Sequence, residues 1–162
     1  MRSARFVDIL ERFAAHGVEF IVVGMTAGIL GGAPVTTLDV DVVHRRTAEN
    51  VDRLLAALGE LQAEYRHDPR KLTPKASHLI GPGHQLLTTI HGDLDCLGTI
   101  DGGKAYDDLL GTTREIVLSS GAAIRILDLP ALIEIKRRAG RPKDLAVLPL
   151  LEATLDERNR RS

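Results

Sequence analysis

Two short acidic patterns carry the first chemical signal in this chain: Asp39-Val40-Asp41 and Asp93-Leu94-Asp95, each alternating with apolar residues. In an extended strand alternate side chains point the same way, so each pair of acids shares one face. Carboxylates stacked on one face repel each other, and desolvating them is costly. Water, basic side chains or a cation must offset that cost. Two carboxylates on one strand face can hold a hard divalent cation through oxygen ligands, as Mg²⁺ (or Mn²⁺) prefers. A third carboxylate from another strand would complete a two-metal site for in-line phosphoryl transfer. For that third acid Asp95 is preferred, because Leu94 and Cys96 flank it as a buried strand requires. Asp93 follows Gly92 and suits a solvated position. Each pair read alone also fits an ordinary solvated strand face.

The elements that must position these acids follow from periodicity. Phe6, Ile9, Leu10 and Phe13 recur at helical spacing after Ser3, an expected N-cap, and His16-Gly17 ends that helix. Val18 to Val23 is short, β-branched and almost wholly apolar, a buried strand. Gly24 closes it, and Thr26 to Leu30 begins a short helix that Gly31-Gly32-Ala33-Pro34 terminates. A glycine where a strand enters a helix lets backbone N–H groups approach a phosphate. Leu38 to Val43 is the acidic strand, and Thr47 caps a helix bearing Val51, Leu54, Leu55 and Leu58 on one face.

The stretch from Gln62 to Pro82 is polar and reads as loop with one edge strand, and His84 to Leu97 as two strands around His91-Gly92. Tyr106 to Leu110 makes a helical turn, and Ser119-Ser120-Gly121 joins a hairpin between Glu115–Leu118 and Ala123–Leu127. Asp128 caps a helix through Lys136 that breaks near Gly140, and Pro142 opens a last helix to about Leu155. The charged tail, residues 156–162, is expected to fray. Strands and helices mix without a regular βαβ period, so the expected class is α+β with a mixed sheet, in one domain over residues 1–162.

Composition narrows the function classes. The chain has 162 residues, 44% hydrophobic and 27% charged, an ordinary globular balance. Its net charge is -1, so any nucleic-acid contact needs a local basic patch rather than a global field. Aromatic residues are 3% with no Trp, which argues against a base-stacking platform. A single Cys, Cys96, excludes an intramolecular disulfide and multi-cysteine zinc motifs and suits a reducing compartment. No apolar run approaches the roughly 18 residues of a membrane span, and the N-terminus lacks a signal-peptide pattern. A cytoplasmic location with no membrane partner is expected.

Gly24, followed some way on by Asp39-Val40-Asp41 and then a strand acid, resembles the DNA polymerase β-like nucleotidyltransferase superfamily. Leu129-Pro130-Ala131-Leu132-Ile133-Glu134-Ile135-Lys136, followed by Gly140-Arg141-Pro142-Lys143-Asp144-Leu145, is similar to the small bacterial nucleotidyltransferases related to the AbiEii toxin family. The resemblance spans Val18 to Leu151. It implies a mixed sheet flanked by helices and an enzyme that moves a nucleotidyl group from an NTP to a hydroxyl. RNA acceptors and an antitoxin partner are implied by the toxin relatives. Under it Asp39, Asp41 and Asp95 are the catalytic and metal-binding acids. Gly24, Met25, Thr26, Lys136, Arg141 and Lys143 are the nucleotide-binding positions.

This chain departs from that pattern in three places. Met25 stands where relatives carry Gly or Ser, which leaves Thr26 as the substitute hydroxyl for a terminal phosphate. Val35 stands where relatives often carry Arg, and Val147 replaces a second acid after the R-x-K-D-L segment. Other readings of single residues remain open at this level. Lys136 also fits a lysine snorkelling beside Arg137 and Arg138, and Arg141, Lys143 and Asp144 also fit a capping cluster at the last helix start. His44 could meet a nucleotide or simply end a strand. A catalytically weakened nucleotide- or partner-binding protein of the same fold is the alternative to an enzyme. A metal-dependent hydrolase is disfavoured, since His78, His84 and His91 lack ligand spacing.

Overall fold

A computed structural model describes residues 5–34, 37 and 39–162. Seven strands form a single mixed sheet: β1 (Phe20–Val23), β2 (Asp39–His44), β3 (Glu64–Tyr65), β4 (His84–Thr89), β5 (Gly92–Leu97), β6 (Thr113–Val117) and β7 (Ala123–Leu127), in the order β3-β4-β5-β2-β1-β7-β6. The helices are α1 (Phe6–Ala15), α2 (Gly24–Leu30), α3 (Ala48–Glu60), α4 (Ala76–Leu79), α5 (Tyr106–Leu109), α6 (Leu129–Ala139) and α7 (Pro142–Arg161). The expected α+β class with a mixed sheet is thus the observed fold.

All four side chains of β1 are buried, as an apolar run between two covered faces requires. β1 runs antiparallel to β2 and parallel to β7, and β2 runs parallel to β5. Alternation then divides β2 cleanly. Val40, Val42 and His44 point to one face and are at most 2% exposed, while Asp39 and Asp41 point to the other. On the first face the His44 Nε2–H donates to the Leu79 carbonyl of α4 at 2.7 Å, and α3 packs against α4. His44 is therefore a core residue whose burial pushes its imidazole below the usual range, and it does not meet a nucleotide. On the acidic face α2 packs on β1, β2 and β7, α6 packs against α2, and α7 against α6. The β4–β5 half of that face is left open, with Leu86 46% exposed.

The element boundaries follow local chemistry. Thr47 accepts a hydrogen bond from the Asn50 N–H at the start of α3, and Asp128 accepts one from the Leu129 N–H at the start of α6. Gly140 ends α6 in the left-handed conformation, φ 64°. The polar segment expected as loop contains the edge strand β3 and also the short helix α4. The expected frayed tail is instead the last turns of α7, which continues to Arg161. Arg158 pairs with Asp128 at 2.7 Å and Arg161 with Glu157 at 3.2 Å, so the tail is anchored at one point and braced along its own face. The expected Ser3 cap, and Val35, Thr36 and Leu38 before the acidic strand, lie outside the described residues.

Candidate functional site

The acidic face is assembled by register. Parallel pairing of β2 with β5 sets Asp39 opposite Asp93 and Asp41 opposite Asp95, so four carboxylates form a two-by-two array across neighbouring strands. Antiparallel pairing with β1 sets Val23 opposite Asp41, which brings the β1–α2 turn directly onto the array. Gly24 makes that turn with φ 63°, a conformation a side chain rarely adopts. A Cβ at Gly24 would overlap the Asp41 carboxylate and come within 3.2 Å of its Cβ and Cγ. The glycine is thus required twice, by the backbone and by the acid beside it.

Asp95 and Asp93 differ as the flanking residues suggested. The Asp95 side chain is 16% exposed and lies beside Asp41, whereas the Asp93 side chain is 37% exposed and lies beside Asp39. Burial drives the Asp41 carboxyl up to about 7, and the neighbouring charge of Asp95, a proton shared with it and the charge of Asp39 push the same way. Lys136 opposes that rise without offsetting it. Asp41 Oδ1 is buried and has no hydrogen-bond partner. A buried carboxylate oxygen with a free lone pair, next to a second acid one residue away, suits a hard cation that also takes phosphate oxygens. Asp39 and Asp41 would hold it. Among the described residues no three His, Cys, Asp or Glu groups converge at metal-ligand spacing, and Asp95 Oδ1 pairs with a basic side chain.

That partner is Arg66, which the sequence reading missed. Its Nη2 donates to Asp95 Oδ1, and its Nε stands 3.5 Å from Asp93 Oδ2. It comes from the end of the edge strand, in a segment without periodicity, 29 positions before its partner. An isolated Arg in a polar stretch carries no sequence signal of such a contact.

A cavity of about 720 Å³ opens over the array. Gly24, Met25, Asp39, Asp41 and Asp95 form its floor, and Lys136 and Arg138 of α6, Arg141 just before α7 and Lys143 of α7 supply a cationic wall. His84, Leu86 and Leu97 continue the floor on β4 and β5. Helical spacing sets Lys136 on the inner side of α6, and the tight Gly140 turn brings the first turn of α7 alongside it. There Asp144, with a fully buried side chain, accepts from Lys136 Nζ at 3.2 Å and from Arg141 Nε at 2.6 Å. Burial pushes Asp144 up, but the hydrogen bonds from Arg141 and Lys136 outweigh it and hold it below the usual carboxylate range. Asp144 also accepts from the Arg141 backbone N–H at 3.3 Å, so the expected capping cluster is present for these two residues but without Lys143. Arg141 and Lys136 serve it while facing the cavity.

One expected contribution takes a different form. Thr26 is buried, and its hydroxyl donates to the Asp39 carbonyl at 2.9 Å, so it braces the acidic strand rather than facing a phosphate. The basic run after Lys136 is largely neutralised within the protein. Arg137 pairs with Glu134 at 2.6 Å and Glu152 at 2.7 Å, and Arg138 with Asp101 at 2.6 Å. Lys143 makes no ion pair among the described residues and lines the cavity. Cys96 lies on the face opposite Asp95, fully buried, where burial pushes its thiol far above the usual range. No helix among the described residues is long and apolar enough to cross a membrane.

No family model matches this chain. No curated protein matches it either. Solved structures do. TM1012 of Thermotoga maritima, a provisionally assigned nucleotidyltransferase, superposes with a TM-score of 0.59 at 17% identity, over 97% of this chain and 96% of its own. The antibiotic-resistance factor ANT(2″)-Ia superposes with a TM-score of 0.56 at 16% identity, over 94% of this chain and 85% of its own. At such identities the likeness is one of fold, and the chain carries a nucleotidyltransferase-like fold from end to end.

Proposed function

We propose that this protein is a divalent-metal-dependent nucleotidyltransferase, moving a nucleotidyl group from an NTP to a hydroxyl acceptor. The observation that carries the reading is the register placing Asp41 beside Asp95 at the mouth of the Gly24 turn. Acids from adjacent strands, a glycine turn free of side-chain bulk and a cationic wall meet in one cavity. A Mg²⁺ or Mn²⁺ ion bound at Asp39 and Asp41 would neutralise phosphate charge and polarise the α-phosphoryl group. The chain's own residues do the rest.

Gly24 and Met25 present the start of α2 to the triphosphate, with no Cβ at Gly24 to block it. Lys136, Arg141 and Lys143 neutralise the phosphates from the opposite wall, Lys136 as a point charge and Arg141 with the guanidinium edge that Asp144 leaves free. Asp95, on the open β4 side, receives the proton of the acceptor hydroxyl as its oxygen bonds to the α-phosphorus. The bond from that phosphorus to the pyrophosphate oxygen breaks in line, and pyrophosphate leaves along the cationic wall. The open β4–β5 half of the acidic face, with His84 and Leu86, is where an acceptor would lie. An RNA acceptor, and a toxin role with an antitoxin partner, rest on the sequence resemblance; the neutralised Arg137 and Arg138 do not add to them.

The test is incubation with each NTP labelled at the α- or γ-phosphate, Mg²⁺ or Mn²⁺, and either total RNA or small hydroxyl compounds. Transfer of α-label but not γ-label is expected. Transfer of γ-label would mean phosphoryl rather than nucleotidyl transfer. No transfer with any acceptor while nucleotide still binds would favour the second reading, a nucleotide-binding protein of the same fold. That reading is favoured by the Thr26 hydroxyl being spent on backbone.

A further inference from the structure

The row of side chains that runs across the sheet through Asp41 does not end at Asp95. Asp95 pairs with Leu86 of β4, and the Arg66 N–H donates to the Leu86 carbonyl at 3.0 Å. Arg66 therefore occupies the next place in the same row, beyond Leu86, and its side chain folds back over β4 towards the acids. Its Nη2 donates to Asp95 and also to the Leu87 carbonyl at 3.0 Å, and its Nε donates to the same carbonyl at 3.3 Å. The side chain is only 16% exposed. A guanidinium tied to a backbone carbonyl in a strand cannot follow a carboxylate that moves away. It sets the direction of Asp95 instead.

Asp41 has the opposite situation. Its Oδ1 has no partner, and the cations nearest to it, Lys136 and Arg141, are bonded to Asp144. The two acids side by side are thus held in different ways, Asp95 clamped by a cation and Asp41 without one. A carboxylate whose charge is already offset by a guanidinium, and whose direction that guanidinium fixes, is a weaker ligand for a cation than an unpaired one. We infer that Arg66 is a positioning residue that holds Asp95 out of the metal shell, leaving Asp39 and Asp41 as the protein's ligand pair and keeping Asp95 turned to the acceptor side. The inference rests on the nucleotidyl-transfer reading of this site. It follows that the protein alone binds a divalent ion weakly, and that phosphate oxygens of the nucleotide supply the ligands Asp95 withholds.

The probe is Mn²⁺ alone, titrated into the full chain without nucleotide and followed by electron paramagnetic resonance. Arg66→Met frees Asp95 and should tighten Mn²⁺ binding at least tenfold over the wild type. The gain should vanish in Arg66→Met with Asp95→Asn, which a merely structural role for Arg66 would not bring about. Arg66→Lys keeps the charge but lacks the fork that bonds carbonyl and carboxylate together, so a gain of at least threefold is expected from it. This variant carries the test if Arg66→Met fails to fold. Unchanged or weaker Mn²⁺ affinity in the folded variants, or a gain that survives Asp95→Asn, overturns the inference. Such a result leaves the transfer reading standing, since that is judged by α-label; absence of transfer would leave the Mn²⁺ result intact.

Discussion

Asp41→Asn should stabilise this protein in the absence of metal, although it removes a residue placed at the centre of the site. The folded carboxyl sits near 7 against an ordinary 3.8, so between about pH 4 and pH 7 the folded state holds a proton that the unfolded state has released. Stability from this group is full below about pH 4, falls as pH rises through that window, and is flat above it. At about 1.4 kcal/mol per pH unit the whole window amounts to about 4 kcal/mol, a ceiling that side-chain relaxation and water reduce. Asparagine is never charged and can donate to Asp95 in place of the shared proton. A gain of about 1–3 kcal/mol at pH 8 is therefore expected, or roughly 3–10 °C in Tm for a chain of this length. The assay is thermal and urea unfolding by far-UV circular dichroism in EDTA, at pH 8 and pH 5. The gap should be widest at pH 8 and should narrow towards pH 5. Saturating Mn²⁺ should reverse the order, raising the wild type by about 2.7 kcal/mol at a hundredfold excess over its Kd and the variant by less. A variant melting below the wild type at pH 8 in EDTA would refute the reasoning, because it would mean that partners already offset the charge of Asp41.

Gly24→Ala should abolish nucleotide binding and lower Tm by several degrees while the far-UV spectrum is retained, since the new Cβ meets Asp41 on a backbone with φ 63°; an unchanged nucleotide titration would remove the turn from the site. Lys136→Ala should weaken NTP affinity about tenfold or more and cost about 1–3 kcal/mol in urea unfolding, because the buried Asp144 loses one of its cations. If only stability changes, Lys136 is a partner of Asp144 and nothing more.

How far the site could be read in advance depended on whether a residue belongs to a periodic element. Asp39 and Asp41 were legible because Val40 and Val42 alternate with them, and alternation fixes a face whatever the strand's neighbours are. The same holds for Asp93 and Asp95, but their position beside the first pair required the parallel register of β2 and β5, which no local pattern encodes. Lys136 was legible as the cation of a capped helix. Its bond to Asp144 was not legible, since the expected capping cluster held only Arg141, Lys143 and Asp144 and the sharp reversal at Gly140 decides which side chains meet. Arg66 was illegible because it follows a two-residue strand in a polar stretch and acts on an acid far along the chain. The hydroxyl of Thr26 was misplaced because a short helix start offers it two targets, a ligand or the neighbouring strand's carbonyl, and packing chose the carbonyl. The tail was expected to fray on charge alone; its Arg158 found Asp128 across the fold.

The central claim is that the acids of β2 carry a metal-dependent transfer. Its most direct test is the rate of pyrophosphate release, with acceptor and each NTP, for wild type and Asp39→Asn side by side in Mg²⁺ and in EDTA. Asp39 is part-exposed, so the asparagine variant should fold normally. The expected result is release by the wild type only with the divalent ion, and a loss of at least a thousandfold in the variant. Wild-type rates from Asp39→Asn, or release that persists in EDTA, would contradict the account.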